Sequence, residues 1–244
     1  MKISIISDIH VHPDNLKGLE ILKNFCSNEK VLKSDLIVFL GDIFDLFVYD
    51  FEQYNQIYID ALNEIKNLIN KTNRVVFVEG NHDFGIRNLL VNKFKKINFE
   101  YYENGFHLNS ELGRFSFFHG DSIEIDNQLY QIYRFFIKNK FIAKFYKNLV
   151  GFEKTWNLGN HLLARSHDRH EKYLDNYYES KVLKKFRNSA ELYFKKSNSK
   201  FLICGHSHVK DIYKIGEKLY INNGFAQNEK SFIYYDKEFN FINL

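Results

Sequence analysis

Val75-Val76-Phe77-Val78-Glu79-Gly80-Asn81-His82-Asp83 is a run of four apolar residues that soon ends in a glycine and three side chains able to bind a metal ion or a proton. A short apolar run of this kind reads as a strand buried on both faces of a parallel sheet. Open α/β sheets hold their ligands just beyond the carboxyl ends of such strands. Four other stretches repeat the design: residues 3–6 lead into Asp8-Ile9-His10, 36–40 into Gly41-Asp42, 115–118 into His119-Gly120-Asp121, and 201–204 into Gly205-His206-Ser207-His208. Residues far apart in the chain therefore meet in one crevice. Side chains two apart on an extended strand point the same way, so Asp8 with His10, and His206 with His208, can each aim two ligands at one centre. Gly41, Gly80 and Gly205 each directly precede a ligand and let the backbone turn sharply and approach closely.

Between these strands lie helical spacings: Leu16, Leu19, Ile21, Leu22 and Phe25; Tyr54 through Ile69 at intervals of three and four; and Ile86, Leu89, Leu90 and Phe94. Alternating strands and helices predict a layered α/β fold. After the histidine pair, residues 211–215, 219–221 and 232–236 read as further strands, making the end of the chain antiparallel. Residues 122–200 break the rhythm with helical stripes such as Leu129, Ile132, Tyr133, Phe136 and Ile137, and are expected to form a helical cap inserted in a single domain spanning 1–244. The cap holds sixteen Lys or Arg against eight Asp or Glu, and the rest of the chain eighteen against twenty-two, so the net charge of +4 resides in the cap.

The early Asp8, His10 and His12 interrupt any signal-peptide core, and no apolar run approaches the roughly 18 residues needed to span a bilayer. A cytoplasmic protein is expected. Cys26 and Cys204 lie outside any Cys-x-x-Cys pattern, so no disulfide is expected, and Cys204 reads as a buried small hydrophobe rather than a ligand. His12, His107 and His161 read as ordinary histidines.

The ordered series Asp8-x-His10, Gly41-Asp42, Gly80-Asn81-His82-Asp83, His119-Gly120-Asp121 and Gly205-His206-Ser207-His208 resembles the calcineurin-like metallophosphoesterases. The resemblance implies a two-layered β-sandwich flanked by helices, with a dinuclear metal centre. One metal would be held by Asp8, His10, Asp42 and His208, and the other by Asp42, Asn81, His119 and His206, with Asp42 bridging. The donor set accepts Mn, Fe, Co or Zn, and the family implies manganese. Two divalent ions about 3.5–4 Å apart can activate a shared water for in-line attack at phosphorus. Asp42 and His82 are the catalytic candidates: His82 follows a ligand without being one, and is placed to hydrogen-bond the phosphoryl oxygen or protonate the leaving group. Asp83 and Asp121 read as groups that orient histidines or backbone turns.

Within that superfamily, Gly41-Asp42-Ile43-Phe44-Asp45-Leu46-Phe47 and the helical insertion resemble the UDP-2,3-diacylglucosamine pyrophosphatases of lipid A synthesis. That resemblance implies hydrolysis of the nucleotide-sugar lipid to UMP and 2,3-diacylglucosamine 1-phosphate. Asn81, His82, Asp126, Arg134, Arg165 and Ser166 become substrate-binding candidates, with Tyr130 beside them. The chain carries His82 where the best-known members have arginine. A basic, aromatic-rich cap suits acyl chains, a diphosphate and peripheral contact with the inner membrane. The alternative is another metallophosphoesterase acting on phosphoproteins, dinucleoside polyphosphates or cyclic nucleotides. No recognisable nucleic-acid module accompanies the cap, so nucleic acid is not an expected partner.

Overall fold

The apolar runs form strands where they are read to. The structure, a computed structural model, describes the backbone of residues 1–123, 128–171 and 176–244, and the side chains of these except 128, 164–171 and 176–178. The first half comprises β1 (Lys2–Ile6), α1 (Leu16–Ser27), α2 (Glu29–Leu32), β2 (Leu36–Leu40), β3 (Phe47–Val48), α3 (Tyr54–Ile57), α4 (Ile59–Lys71), β4 (Val75–Val78), β5 (Asp83–Phe84), α5 (Arg87–Phe94), β6 (Phe99–Tyr102), β7 (Phe106–Ser110) and β8 (Gly113–Phe117). Then follow α6 (Gln128–Ile137), α7 (Lys140–Phe145), a π-helical turn (Tyr146–Val150), α8 (Phe152–Glu171) and α9 (Asn176–Lys196). The chain continues through β9 (Ser199–Cys204), β10 (Asp211–Ile215), β11 (Lys218–Asn222), α10 (Ala226–Glu229), β12 (Ser231–Asp236) and β13 (Glu238–Asn243).

One sheet has the strand order β13-β12-β1-β2-β4-β6 and the other β10-β11-β9-β8-β7, while β3 and β5 form a small separate pair. Ile3, Ile5, Val38 and Val76 of the first sheet meet Phe115, Phe117, Ile203 and Ile221 of the second in one apolar layer. The other face of the first sheet, with Phe39 and Phe77, packs on Phe25 of α1 and Leu62 and Ile65 of α4. Leu202 and Tyr220 on the outer face of the second sheet lie with Phe186, Ala190 and Phe194 of α9. This is the helix-flanked, two-layered β-sandwich that the resemblance implied.

Near-continuous apolar strands follow from burial on both faces: every residue of β2 and β4 is buried. The helical spacing from Tyr54 to Ile69 is interrupted at Tyr58, whose hydroxyl donates to the Leu46 carbonyl (2.9 Å) and whose ring stacks on Phe47. It therefore yields α3 and α4 rather than one helix. Cys26 and Cys204 are both free and buried.

Candidate metal centre

Parallel β1, β2 and β4 deliver the residues after them to one end of the first sheet, and parallel β8 and β9 do the same in the second. Ligand atoms of Asp8, His10, Asp42 and His208 lie within 4.8 Å of one another, as do those of Asp42, His119 and His206. Asp42 belongs to both groups. Asn81 Oδ1 lies 3.1 Å from His119 Nε2. All seven residues read as metal ligands thus come together.

The way they are aimed differs from expectation. β1 stops at Ile6 and β9 at Cys204, and Asp8, His10, Asp42, His206 and His208 all have left-handed backbone, with φ of 54°, 51°, 52°, 67° and 57°. A strand pleat projects side chains perpendicular to its own sheet, whereas these turns bring side chains from two sheets onto one centre. Left-handed non-glycine residues are costly and cluster at functional sites. Two glycines make the approach possible: a Cβ on Gly80 would lie 2.0 Å from Asp42 Oδ1, and one on Gly205 2.2 Å from Asp8 Oδ2.

Hydrogen bonds on the far ring nitrogens set the histidine tautomers. His10 Nδ1–H donates to Asp45 Oδ1 (2.8 Å) and His119 Nδ1–H to the Leu40 carbonyl (3.0 Å), which turns both Nε2 lone pairs inward. His10 Nε2 then sits 3.3 Å from His208 Nε2, and His119 Nε2 3.2 Å from Asp42 Oδ2. Lone pairs converging this closely repel unless a proton or a metal ion lies among them. The nitrogen and oxygen donors therefore fit divalent metal ions.

Charge in the cluster points the same way. Burial pushes the Asp42 carboxyl up, but His119, His82 and His10 outweigh it and hold it well below the usual carboxylate range. Burial pushes His82 down, yet Asp42 and Asp45 carry it up to about 9. Likewise His119 is brought to about 10 by Asp42, Asp8 and Asp121 against burial.

Several supporting residues escaped the sequence reading. Asp45 orients His10, and its backbone carbonyl accepts from His82 Nδ1 (2.9 Å); its signal was a second carboxylate three residues after Asp42. Asn222 and Asn223, at the end of β11, donate to the carbonyls of Gly205 (2.6 Å) and Ser7 (3.2 Å). They repeat the pattern of an apolar run ending in polar residues. Asp83 accepts from the N–H groups of Asp42, Ile43, Phe44 and Gly80 (2.7–3.2 Å), tying two ligand loops together as a carboxylate that orients backbone turns. His12, read as ordinary, stacks on Trp156 of α8 with ring centroids 5.7 Å apart, and its Nε2 is 3.2 Å from Asn160 Oδ1.

α6 lies over this centre with Tyr130 and Arg134 on one face, four residues apart, and Lys138 follows at the same spacing directly after its end. Tyr130 stacks on His206 at 5.8 Å, and Arg134 donates from Nε to Asp121 Oδ2 (2.5 Å) and from Nη2 to Asn104 Oδ1 (3.2 Å). Most of the apolar stripe read from the sequence faces outward: Leu129 is 82% exposed, and Ile132, Tyr133 and Phe136 are also exposed, as is Phe135 beside them, while Ile137 packs against the core. The outward face continues through Phe141 (83% exposed), Phe145 and Leu149. Asp126 lies outside the described residues; Arg165 and Ser166 lie on α8, with side chains outside the description.

Residues 1–210 match the family profile of calcineurin-like phosphoesterase. The chain belongs to that family. Its similar proteins include the UDP-2,3-diacylglucosamine hydrolase of Wigglesworthia glossinidia brevipalpis, 22% identical over 220 residues that cover 90% of this chain and 84% of that one. The protein of the same name from Proteus mirabilis (strain HI4320) is 26% identical, covering 77% and 74%. A structure described as a novel archaeal phosphodiesterase shares the fold across the full length of both chains, with a TM-score of 0.50 and 16% identity. The calcineurin-like chain is thus a phosphoester hydrolase of a family that works with divalent metals. No helix among the described residues is long and apolar enough to cross a membrane.

Proposed function

We propose that the protein hydrolyses the pyrophosphate bond of UDP-2,3-diacylglucosamine, releasing UMP and 2,3-diacylglucosamine 1-phosphate, with Mn²⁺ as the metal. The observation that carries this reading is the outward apolar face of α6 and α7 beside a metal centre. Fully burying a Leu or Phe side chain contributes about 1.5–3 kcal/mol, so a row of them left in water calls for an apolar partner. Acyl chains and the membrane surface supply one, and the lysines of the same segment suit anionic headgroups. The names of the relatives support the same substrate.

In this reading residues 122–200 form a cap inserted in one domain, and the enzyme works at the cytoplasmic face of the inner membrane. Asp8, His10, Asp42 and His208 hold one ion, and Asp42, Asn81, His119 and His206 the other. When bound, the ions supply Lewis-acid activation of water and of the phosphoryl group. Asp42 fixes the spacing between the two ligand groups. Asn81 and His82 meet the phosphoryl oxygens. His82 holds a proton for the leaving oxygen, with its Nδ1–H engaged by the Asp45 carbonyl and Asp45 keeping the ring charged. Asp126, Arg134, Arg165 and Ser166 are the further substrate-binding residues of this reading.

The test is Mn²⁺-dependent hydrolysis of UDP-2,3-diacylglucosamine against bis-p-nitrophenyl phosphate, with Asp42→Asn as the blank. UMP release with strong preference for the glycolipid supports the proposal. Turnover of the generic diester alone rejects the lipid substrate while leaving the phosphoester chemistry in place.

A further inference from the structure

α6 turns most of its apolar residues outward and packs only Ile137 at its end against the core, so apolar packing alone does not fix its position. Polar contacts do. Gln131 Nε2 donates to the Asp121 carbonyl (2.7 Å), Arg134 pairs with the Asp121 carboxylate, and Tyr49 Oη donates to the Ile137 carbonyl (3.0 Å). Lys138, directly after α6, does something different. Its side chain is 13% exposed and runs inward until Nζ lies 3.5 Å from Asp121 Oδ2, 3.9 Å from Glu79 Oε2 and 5.7 Å from the centroid of the Phe84 ring. Among the described residues Nζ makes no hydrogen bond.

The two carboxylates flanking Lys138 come from different sheets, and both are buried. Glu79 follows β4 and stands two residues before Asn81; it accepts from Tyr101 Oη (2.5 Å) and the Gly85 N–H (2.8 Å), bracing the loop that carries Asn81 and His82. Asp121 stands two residues after His119. The Lys138 ammonium thus bridges two buried carboxylates on two ligand-bearing loops, sharing Asp121 with Arg134. Removing one partner from such a cluster leaves uncompensated charge, whereas its presence specifies one arrangement.

We propose that Lys138 is a positioning residue: lodged between Glu79 and Asp121, it seats α6 against the loops that carry Asn81 and His119, and so sets Tyr130 and the inward face of the helix over the metal centre. It touches no reacting atom. This inference rests on the phosphoester-hydrolase assignment and not on the lipid substrate.

The test uses the full chain loaded with Mn²⁺ and compares Lys138→Met with Lys138→Arg. The expected result for Lys138→Met is wild-type metal content, at least tenfold faster hydrogen exchange in the amides of 128–138, and a roughly tenfold rise in KM for bis-p-nitrophenyl phosphate with kcat within about threefold. Lys138→Arg, which keeps the charge, restores both. Unchanged exchange in α6 overturns the proposal, and so does a loss of metal or of kcat that Lys138→Arg fails to rescue. If Lys138→Met does not fold, Glu79→Gln withdraws one anion with the ammonium in place: faster α6 exchange supports the proposal and unchanged exchange overturns it. Wild-type protein that turns over the diester but not the glycolipid rejects the lipid reading and leaves this test standing.

Discussion

α4 and α6 are both amphipathic helices, and they face opposite ways. In α4, Ala61, Leu62, Ile65, Leu68 and Ile69 are all buried. In α6, Leu129, Ile132, Phe135 and Phe136 are exposed, while Arg134, and Lys138 directly after the helix, point inward to carboxylates. The difference lies in what is underneath. Beneath α4 is an apolar sheet face that apolar side chains complete. Beneath α6 are Asp121 and Glu79, which would be left buried and unpaired under leucines. A helix beside a charged centre therefore spends its polar face on the protein and presents its apolar face to something else.

The largest effects should come from the centre itself, which α6 covers. Asp42→Asn is expected to lower turnover of every phosphoester by about 10³-fold or more, because it weakens the group common to both ligand sets; near-wild-type rates at saturating Mn²⁺ would defeat the ligand assignment. His82→Ala should slow turnover by about 10²- to 10⁴-fold with metal content intact. Metal analysis decides this, since loss of an ion would make His82 a ligand.

The helices separate by stability. Ile65→Ala in α4 should cost about 2–5 kcal/mol in urea unfolding, as core truncations do, whereas Phe135→Ala in α6 should stay within about 0.5 kcal/mol. Equal losses would break the comparison. Phe135→Ser combined with Phe141→Ser sharpens it: we expect about tenfold lower kcat/KM on the diacyl substrate, the loss of two apolar contacts, and none on bis-p-nitrophenyl phosphate.

A smaller effect concerns pH. Burial pushes Glu79 up to about 7 in spite of Lys138, Tyr101 and the Gly85 N–H. A carboxyl that binds its proton more tightly when folded adds stability below its unfolded value, near 4.5, and that contribution is lost as pH rises through about 7. In metal-stripped protein, Glu79→Gln should therefore gain on the wild type in melting temperature between about pH 5 and 8. A difference constant across that range would show that Glu79 does not titrate there.

Much of the centre was legible because burial and chemistry write themselves in adjacent residues. A strand covered on both faces has to be apolar throughout, so β2 and β4 stand out, and ligands placed after such strands stand out beside them. Asp45, Asn222 and Asn223 were harder, since a carboxylate or amide near a ligand has many uses and only the partner identifies one. The pleat-based account paired Asp8 with His10, which do share one ligand group, but the structure divides His206 and His208 between the two groups, because they are aimed by left-handed turns that only the folded chain reveals.

By itself, then, the sequence determined the alternating strands and helices, the five ligand blocks and their order, for these rest on local hydrophobicity and on side-chain chemistry, while the sandwich followed from the family resemblance that those blocks carry. Only the tertiary structure decided the direction in which α6 faces and the pairing of Lys138 with Glu79 and Asp121. Periodicity reports that a helix has two faces, but which face is buried depends on the surface it meets, and that surface is assembled from the loops after two strands of different sheets, β4 and β8.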